Sequence, residues 1–240
     1  MTQALRKPDA ERATKTCAEL EFCGEAFHFD FRGVLFWPAE RMLIVSDLHL
    51  EKGSSFGVKG RFMPPYDSRA TLALLGRCVE QWQPNTILSL GDSFHDEHGA
   101  TRLDDAALDA LKKLMAGREW IWISGNHDPL PPQSLGGLFS HELALGPINF
   151  THEPRKTFTT GEIAGHLHPC AKIRRRSKSV RRRCLVGDEN RLILPAFGAF
   201  TGGLNIRNEA FGGLFDEASL RAWFMGSDAV YCIGGEQLVP

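Results

Sequence analysis

The sequence lacks any apolar stretch of about 18 residues, the length that a membrane-spanning helix requires. Its first twenty residues also lack the apolar segment of a secretory signal peptide. The six cysteines include no C-x-x-C pair, and a chain of 240 residues can bury a core without disulfide bonds. We therefore expect reduced cysteines, a cytoplasmic location and no association with a membrane.

An excess of positive charge is also missing. The formal net charge is -1, so any attraction for a polyanion must come from a local patch. One such run exists: KIRRRSKSVRRR, residues 172–183, has eight positive charges in twelve residues. It can be interpreted as a solvated hairpin loop, or as an arm that follows a phosphate backbone and, having no aromatic residue, stacks on no base. The second interpretation makes eight residues candidates for nucleic-acid binding: Lys172, Arg174, Arg175, Arg176, Lys178, Arg181, Arg182 and Arg183.

The order of predicted elements favours one α/β domain, residues 19–240, after a disordered polar lead-in at 1–18. Aromatic segments between Leu20 and Pro38 predict two or three antiparallel strands. The apolar strands RMLIVSD, TILSLGD and EWIWISG then alternate with two amphipathic helices, of which the first is expected to be capped by Asp67 or Ser68. The second half consists mainly of short strands. We predict two sheets, one from a β-α-β half and one from a mostly β half, with a basic loop at 172–183.

Five successive predicted strands end in Asp, Asn or His. The segments are DLH, GDSFH, GNHD, TH and GHLH, and six of the nine histidines lie in or beside them. Each segment alone has a simpler explanation as a turn or a polar strand end. Carboxyl ends of strands form the crevice in which α/β proteins bind ligands, so the set in this order favours a site.

The residue types at these strand ends suit metal ions. Carboxylate, amide and imidazole donors without thiolates match divalent manganese, iron or zinc, and argue against a closed structural zinc site. A carboxylate can bridge two ions, and two ions together promote in-line displacement at phosphorus. The residues therefore point to phosphoester hydrolysis.

Taken together, the five segments resemble the motif series of the calcineurin-like metallophosphoesterases, in the order typical of that family. The resemblance implies a four-layer α/β/β/α fold and two divalent ions, manganese first, with iron or zinc as alternatives. It implies that Asp92 bridges the two ions. One ion would be held by Asp47, His49, Asp92 and His168, and the other by Asp92, Asn126, His152 and His166.

The same resemblance implies roles for three further residues. His127 would lie beside the scissile phosphate, to stabilise charge or to protonate the leaving oxygen, and Asp128 would orient its ring. His95 stands where the wider family more often has Asp, which makes it a candidate contact behind the ligands.

A narrower likeness extends from about residue 33 to 215. VLFWPAERMLIVSDLHLEKGSSFGVKGRFMPP, LGDSFHD and LILPAFGAFTGGLNI resemble the bacterial ligase-associated DNA damage response endonucleases of the PdeM type. This implies a DNA-directed phosphodiesterase that acts alongside a repair ligase, helicase and exonuclease. Glu51 departs from the Gly that is frequent in that family, and its carboxylate near a phosphate entrance would repel the substrate or adjust a lysine such as Lys52. The segment PAFGAFTGG, which contributes to this likeness, can also be interpreted as a tight glycine turn.

Two other functions remain open at this stage. One is a phosphatase or phosphodiesterase of small nucleotides or phosphoproteins, which has no evident use for eight exposed cations. The other is a non-catalytic scaffold, against which the intact set of ligand residues argues.

Overall fold

The computed structural model describes residues 16–58, 60, 66–129, 135–157, 159–176 and 178–240. The predicted lead-in lies largely outside these residues. Its boundary at residue 18 is wrong, because the first strand already begins at Cys17 and pairs with the second strand from that residue onward. No helix in the described ranges is both long enough and apolar enough to span a membrane.

The first sheet has seven strands that lie side by side in chain order. Its first four strands pair antiparallel, which confirms the strands expected from the aromatic segments, and the last four pair parallel. The parallel strands therefore all end at one edge of the sheet. The strands are β1 Cys17–Phe22, β2 Glu25–Asp30, β3 Leu35–Trp37, β4 Met42–Val45, β5 Thr86–Leu90, β6 Glu119–Ile123 and β7 Leu138–Ser140.

Within the described ranges, four helices accompany this sheet: α1 Lys52–Val58, α2 Asp67–Trp82, α3 Gly99–Arg102 and α4 Asp105–Met115. The prediction that Asp67 or Ser68 caps α2 is wrong. The cap position is Tyr66, which makes no side-chain cap, and both candidate caps contact the start of α1 instead. Asp67 Oδ2 accepts from the Gly53 amide at 2.9 Å, and Ser68 Oγ accepts from the Glu51 amide at 2.8 Å. These bonds fix the segment that follows β4 against α2.

The second sheet has nine strands, most of them short. The order along the sheet is β14-β11-β12-β13-β10-β9-β8, and β15 adds to β12 and carries β16 on its other side. Strands β9 and β10 are parallel neighbours, so they also end at one common edge. The strands are β8 Glu142–Leu145, β9 Ile148–Thr151, β10 Glu162–Ala164, β11 Pro169–Arg175, β12 Lys178–Gly187, β13 Arg191–Ile193, β14 Leu204–Asn205, β15 Arg221–Met225 and β16 Val230–Gly234.

The two sheets pack face to face around an apolar core. Ile44 from the first sheet and Phe150 and Leu192 from the second are among its fully buried members. A second apolar cluster packs α2 and α4 onto the outer face of the first sheet through residues such as Leu75 and Leu111. The predicted two-sheet α/β class is thus confirmed, and in the described residues a short 3-10 helix, Glu209–Phe211, packs on the second sheet.

Candidate active site

The polar strand ends of the two sheets meet at one edge of the sandwich. The link between the sheets is direct: His166 donates its amide to Asp47 Oδ2 at 3.0 Å, and His152 Nδ1 lies 2.8 Å from Leu90 O. The structure thereby brings together residues that the sequence places after β4, β5, β6, β9 and β10. Two groups could each hold a metal ion: a first cluster of Asp47, His49 and His168, and a second cluster of Asp92, His152 and His166.

The donor atoms of the first cluster crowd closely. His168 Nε2 lies 3.1 Å from Asp47 Oδ1 and 3.3 Å from His49 Nε2. Asp47 Oδ1 is buried and, among the described residues, lacks a hydrogen bond of good geometry despite its nearness to His168. A buried carboxylate oxygen without such a bond is costly, and a cation shared with the two imidazole nitrogens would satisfy it.

The second cluster repeats this arrangement. His152 Nε2 lies 3.2 Å from His166 Nδ1, 3.4 Å from Asp92 Oδ1 and 3.0 Å from the side-chain oxygen of Asn126. The other carboxylate oxygen of Asp92 lies 3.8 Å from His49 Nε2 in the first cluster. Asp92 therefore presents one oxygen to each cluster, which is the geometry that a bridging carboxylate needs.

Burial and neighbouring charge set the ionisation of these groups. Burial raises the pKa of Asp92, but the hydrogen bond and charge of His152 outweigh it and hold that pKa below its usual range. Burial lowers the pKa of His49 to about 3, which keeps this imidazole neutral and able to bind a cation. Burial also lowers the pKa of His152, but Asp92 and Asp47 overcome that effect and raise it to about 9. The site is therefore built around ionised carboxylates.

The backbone of the site is unusual. Five of the predicted ligands have left-handed φ angles between 43° and 68°, and they make up half of the ten non-glycine residues with positive φ in the described ranges: Asp47, His49, Asp92, His166 and His168. Such conformations cost of order 1–3 kcal/mol each and cluster at functional sites. Backbone hydrogen bonds hold them, for example from the His49 amide to Asp92 O at 2.9 Å.

Two glycines allow the strand ends to approach each other. A Cβ at Gly125 would lie 2.2 Å from both the amide nitrogen and Oδ1 of Asp92. A Cβ at Gly165 would lie 1.8 Å from Ser46 Oγ and 2.8 Å from Asp47 Oδ2. Both contacts are far below van der Waals distance, so any side chain at these positions would displace the clusters.

We expect Gly165→Ala to lower the free energy of unfolding by about 1–3 kcal/mol through this overlap. Because Ser46 Oγ donates to Asp47 Oδ2, the displacement should also weaken metal binding. Urea denaturation and metal titration would measure both effects. Gly57→Ala is the matched control, since a Cβ there meets nothing within 4 Å. An unfolding midpoint for Gly165→Ala equal to that of the control would contradict the tight packing of Gly165 on Ser46.

His127 lies beside both clusters and is exposed. Its amide donates to Asp92 Oδ1 at 2.9 Å, and its ring Nδ1 lies 2.9 Å from the backbone oxygen of His95. A carbonyl oxygen can only accept, so Nδ1 carries the hydrogen and Nε2 remains available to exchange a proton. The ring stacks on that of His95 at 5.2 Å and meets the ring of His49 edge-on at 5.2 Å.

The predicted role of Asp128 in orienting His127 is wrong. Asp128 Oδ2 accepts from the Phe94 amide at 2.9 Å, and its other carboxylate oxygen is buried without a hydrogen bond to any residue that the structure describes. Burial raises the pKa of this carboxyl to about 7. The His95 backbone carbonyl holds the His127 ring instead, and because every residue has a carbonyl, no residue type in the sequence could indicate it.

The sequence predicts a loop at residues 172–183. The structure instead has a hairpin there, formed by β11 and β12. Lys172 pairs with Arg181 and Arg175 pairs with Lys178, while Arg176, with a φ of 48°, lies in the turn. Ile173 and Val180 pair across this hairpin, and Ile173 packs against the apolar core of the second sheet, which favours strands over a loop. The hairpin is an extension of strands whose other ends are buried in the second sheet.

The cations of this basic hairpin fall into two groups. Arg183 is half-buried, donates to Ala196 O at 2.9 Å, and has a pKa lowered by burial. Arg181 donates to Gly203 O and Lys172 to Pro240 O, and Arg182 is exposed and donates to the oxygen of its neighbour. Four others are exposed on strands or turn, namely Arg174, Arg175, Arg176 and Lys178. Those four are the cations most available to an outside partner.

Sequence reasoning missed a cleft next to His127. It has a volume of about 440 Å³, and Ser55, Asp96, His98 and Arg102 are among its lining residues. Arg102 donates to Asp96 at 2.7 Å and to Ser54 Oγ at 3.0 Å. Ser55 and Asp96 lie in segments that carry the narrower likeness, but that likeness assigns no role to them, and His98 and Arg102 lie outside those segments.

The expectation that Glu51 would adjust Lys52 is wrong, because Glu51 is not among the groups that shift the pKa of Lys52. Its carboxylate accepts from Ser68 Oγ at 2.7 Å and is thereby held on α2. Burial lowers the pKa of Lys52, and the charge of Asp67 opposes this effect.

Comparisons with known proteins agree with this site. The family model for the calcineurin-like phosphoesterases matches residues 40–237. No curated protein gives a significant match. The crystal structure of Pseudomonas putida nuclease MPE is similar at 29% sequence identity and a TM-score of 0.70, over 90% of this chain and 100% of that chain. Yfce, a phosphoesterase from E. coli, aligns at 15% identity and a TM-score of 0.41, over 80% of this chain and 98% of that chain.

The matched family segment contains every strand end described above, from Asp47 to His168. Donor atoms that could hold divalent ions lie at that edge of the sandwich, with an available imidazole beside them. From its sequence match and its site, the chain belongs to the calcineurin-like phosphoesterase family and is a metal-dependent phosphoester hydrolase.

Proposed function

We propose that the protein is a two-metal phosphodiesterase that cleaves DNA in the repair of damage. The observation that carries the proposal is the position of Asp92, whose two oxygens face two separate donor clusters 3.4 and 3.8 Å away. Two ions with one bridging carboxylate suit attack on a phosphodiester, because attacking and leaving oxygens can be stabilised together.

The ligand sets follow from the distances. Asp47, His49 and His168 would hold one ion with Asp92, and His152, His166 and Asn126 would hold the other with Asp92. Asn126 is exposed at the rim, and its oxygen lies 3.0 Å from His152 Nε2, which places it within reach of the second cluster. Divalent ions supply Lewis acidity toward phosphoryl oxygens and lower the pKa of water. We propose manganese, with iron or zinc as alternatives, since the donor set is oxygen and imidazole.

His127 would act on the leaving oxygen. As an imidazolium it carries a hydrogen on each ring nitrogen, and Nδ1 keeps its hydrogen, which it donates to the His95 carbonyl. The Nε2 hydrogen would pass to the leaving oxygen as the ester bond breaks. Stacking on His95 and contact with His49 fix the plane of the ring during this transfer.

Two observations support DNA as the substrate. The basic hairpin begins directly after His168, so its exposed cations extend from the first cluster. The similar Pseudomonas putida protein MPE, at 29% identity, is a nuclease. A row of exposed cations on a hairpin that starts next to a proposed metal ligand is suited to a phosphate backbone, and such contacts carry no sequence information.

The direct test compares four substrates with and without added divalent ions: a chromogenic phosphodiester, a chromogenic phosphomonoester, single-stranded DNA and duplex DNA. We expect manganese-dependent cleavage of the phosphodiester and of DNA, with little turnover of the monoester. Turnover confined to the monoester would replace the nuclease proposal with a small-molecule phosphatase.

The hairpin predicts a specific salt dependence. Replacing Arg174, Arg175 and Lys178 with Ala should reduce the slope of log affinity against log salt on duplex DNA by about two to three, if each contacts a phosphate. Hydrolysis of the chromogenic phosphodiester should not change. Arg183 is left intact because its contact with Ala196 O makes it part of the fold.

A charge-preserving variant provides the matched control for that experiment. Arg174→Lys, Arg175→Lys and Lys178→Arg together should retain the wild-type salt slope, because counterion release depends on charge. Equal slopes for the alanine variant and the control would mean that the hairpin does not contact DNA.

A further inference from the structure

A pocket of about 350 Å³, here called the arginine pocket, is lined by residues of both sheets. Arg32 follows β2 of the first sheet, and Arg182 and Arg183 lie on β12 of the second sheet. In the part of the chain that the structure describes, no Asp or Glu lines this pocket, and no residue of either metal cluster does. Its volume is typical of a small-molecule site, and its cationic wall favours an anion.

Two of the three guanidinium groups are held in place by the fold. Arg32 Nε donates to Asp30 Oδ1 at 2.7 Å, and Asp30 is fully buried. Arg183 Nη1 donates to Ala196 O at 2.9 Å and lies 3.3 Å from Gly198 O. Because these groups are ordered before a ligand arrives, binding costs less side-chain entropy.

The charge of Arg183 is not balanced by an acid. Among the described residues it contacts no carboxylate, and its Nε and Nη2 make no hydrogen bond. Burial lowers the pKa of Arg183, and the effect that opposes burial comes from the Cys170 thiol. Arg182 is exposed and, among the described residues, donates to Arg181 O alone. A half-buried cation without a partner charge is costly, and an anion in the pocket would stabilise it.

The net charge of the arginine pocket fits a phosphate monoester. Asp30 balances Arg32, which leaves two of the three guanidinium charges. Ser227 also lines the pocket and donates to Asp228 at 3.1 Å, but Asp228 itself does not line it. A phosphate monoester carries about -1.5 to -2 charges at pH 7 and offers three acceptor oxygens, which guanidinium groups bind in pairs. A backbone phosphodiester, with a single charge, would balance only one of the two.

The other wall of the pocket is apolar. Phe31, Leu74 and Met225 line it. The centroid of the Phe31 ring lies 5.4 Å from Arg32 Cζ, so an aromatic face adjoins a guanidinium group. Met225 is packed closely, because a Cβ at Gly33 would lie 3.0 Å from its Cε. A ligand that combines a phosphate with a flat organic ring can therefore contact both walls.

We propose that the arginine pocket binds the terminal phosphate of a nucleotide, with the base against the apolar wall. The ligand is a free nucleoside monophosphate or the phosphorylated end of a nucleic-acid strand, and both present the same dianion. The site does not depend on the proposed nuclease function, because no proposed metal ligand lines it. The protein would thereby hold a phosphate monoester at a place where it is not hydrolysed.

Calorimetric titration of the full chain with thymidine 5′-monophosphate tests this site. We expect Arg182→Ala to raise the Kd about 10- to 150-fold, the effect of one hydrogen bond to a charged group. The fold should remain intact, because Arg182 is exposed and donates to a neighbouring backbone oxygen. Arg174→Ala is the matched control and should keep the wild-type Kd, since it removes the same charge from the same hairpin but does not line the pocket. Thymidine, which lacks the phosphate, should not bind.

The metal clusters could also bind this nucleotide, so both arginine variants are repeated in an Asp92→Asn chain, in which the ions should be weakly held. Thymidine 5′-monophosphate should bind that chain at one site, and Arg182→Ala should still raise the Kd. Absence of binding to a folded Asp92→Asn chain, or equal Kd values for the two arginine variants, would overturn the arginine pocket.

Competition on the Asp92→Asn chain distinguishes the two sources of the phosphate. If an oligonucleotide with a terminal phosphate displaces thymidine 5′-monophosphate and its hydroxyl-ended counterpart does not, the pocket receives strand ends. If neither displaces the nucleotide, the pocket receives free mononucleotides. Equal displacement by both oligonucleotides would overturn the assignment to a terminal phosphate.

Discussion

Asp92→Asn should abolish phosphodiesterase activity while leaving the fold intact. The amide has nearly the shape of the carboxylate and can still accept from the His127 amide, but it offers only one oxygen and no charge. Because Asp92 faces both clusters, this one substitution should weaken the binding of both ions. We expect turnover to fall by more than about 10²-fold, beyond the loss that follows removal of a partner behind a metal ligand.

The measurement is turnover of the chromogenic phosphodiester together with metal content per chain after dialysis. Asp109→Asn makes the same chemical change at an exposed position on α4 and should behave like wild type. Circular dichroism would show whether Asp92→Asn keeps the fold. Wild-type turnover with two ions bound would rule out Asp92 as the bridge.

His127→Ala should reduce turnover roughly 10²- to 10⁴-fold, the usual range for general acid or base catalysis, with metal content unchanged. The physical reason is the available Nε2, which the His95 carbonyl leaves as the nitrogen that can give up a proton. The loss should be larger for a phosphodiester with a poor leaving group than for a nitrophenyl ester, since a good leaving group needs no proton.

His98→Ala is the control for the His127 experiment, because His98 is an exposed histidine that lines the same cleft. It should change turnover little. If the metal content of His127→Ala fell together with its turnover, His127 would have to be counted among the ligands. If both leaving groups were affected equally, His127 would act by stabilising charge on the phosphate and not by donating a proton.

The strand ends of the site could be predicted from the sequence because two simple signals coincide there. Apolar runs such as MLIV and TILSL mark buried strands, and Asp47 and Asp92 follow them within a few residues. Parallel strands bring such ends to one edge, so side chains distant in sequence become neighbours. No knowledge of tertiary structure was needed for that step.

Other features depend on contacts that no sequence pattern records. The orientation of His127 is set by a backbone carbonyl at His95, not by the neighbouring Asp128. Arg183 has the same residue type as its exposed neighbours, and its burial and its contacts with Ala196 O and Gly198 O distinguish it. Asp67 looked like a helix cap but bonds to Gly53, a residue on another helix. In each case tertiary packing, and not the local sequence, determines the hydrogen-bond partner.

The left-handed strand ends could not be predicted either. Positive φ is uncommon for any residue other than glycine, and although Asp and His adopt it more often than most, the residue types do not show which of them will. The conformation is imposed by hydrogen bonds between neighbouring strand ends, such as the Asp47 amide to Gly91 O at 3.3 Å. A fold can therefore hold a site in a backbone geometry that local preferences disfavour.

The site takes residues from both sheets, and this has a consequence for the order of folding. His49 and His168 are 119 positions apart in the chain, yet their Nε2 atoms lie 3.3 Å from each other. Contacts between such distant segments form slowly, because the chain must first lose the entropy of closing a long loop. Each cluster takes residues from both sheets, so neither is complete before the sheets pair, and we expect a nascent chain to bind metal only after the whole segment up to His168 and the strands that pair with it have been synthesised.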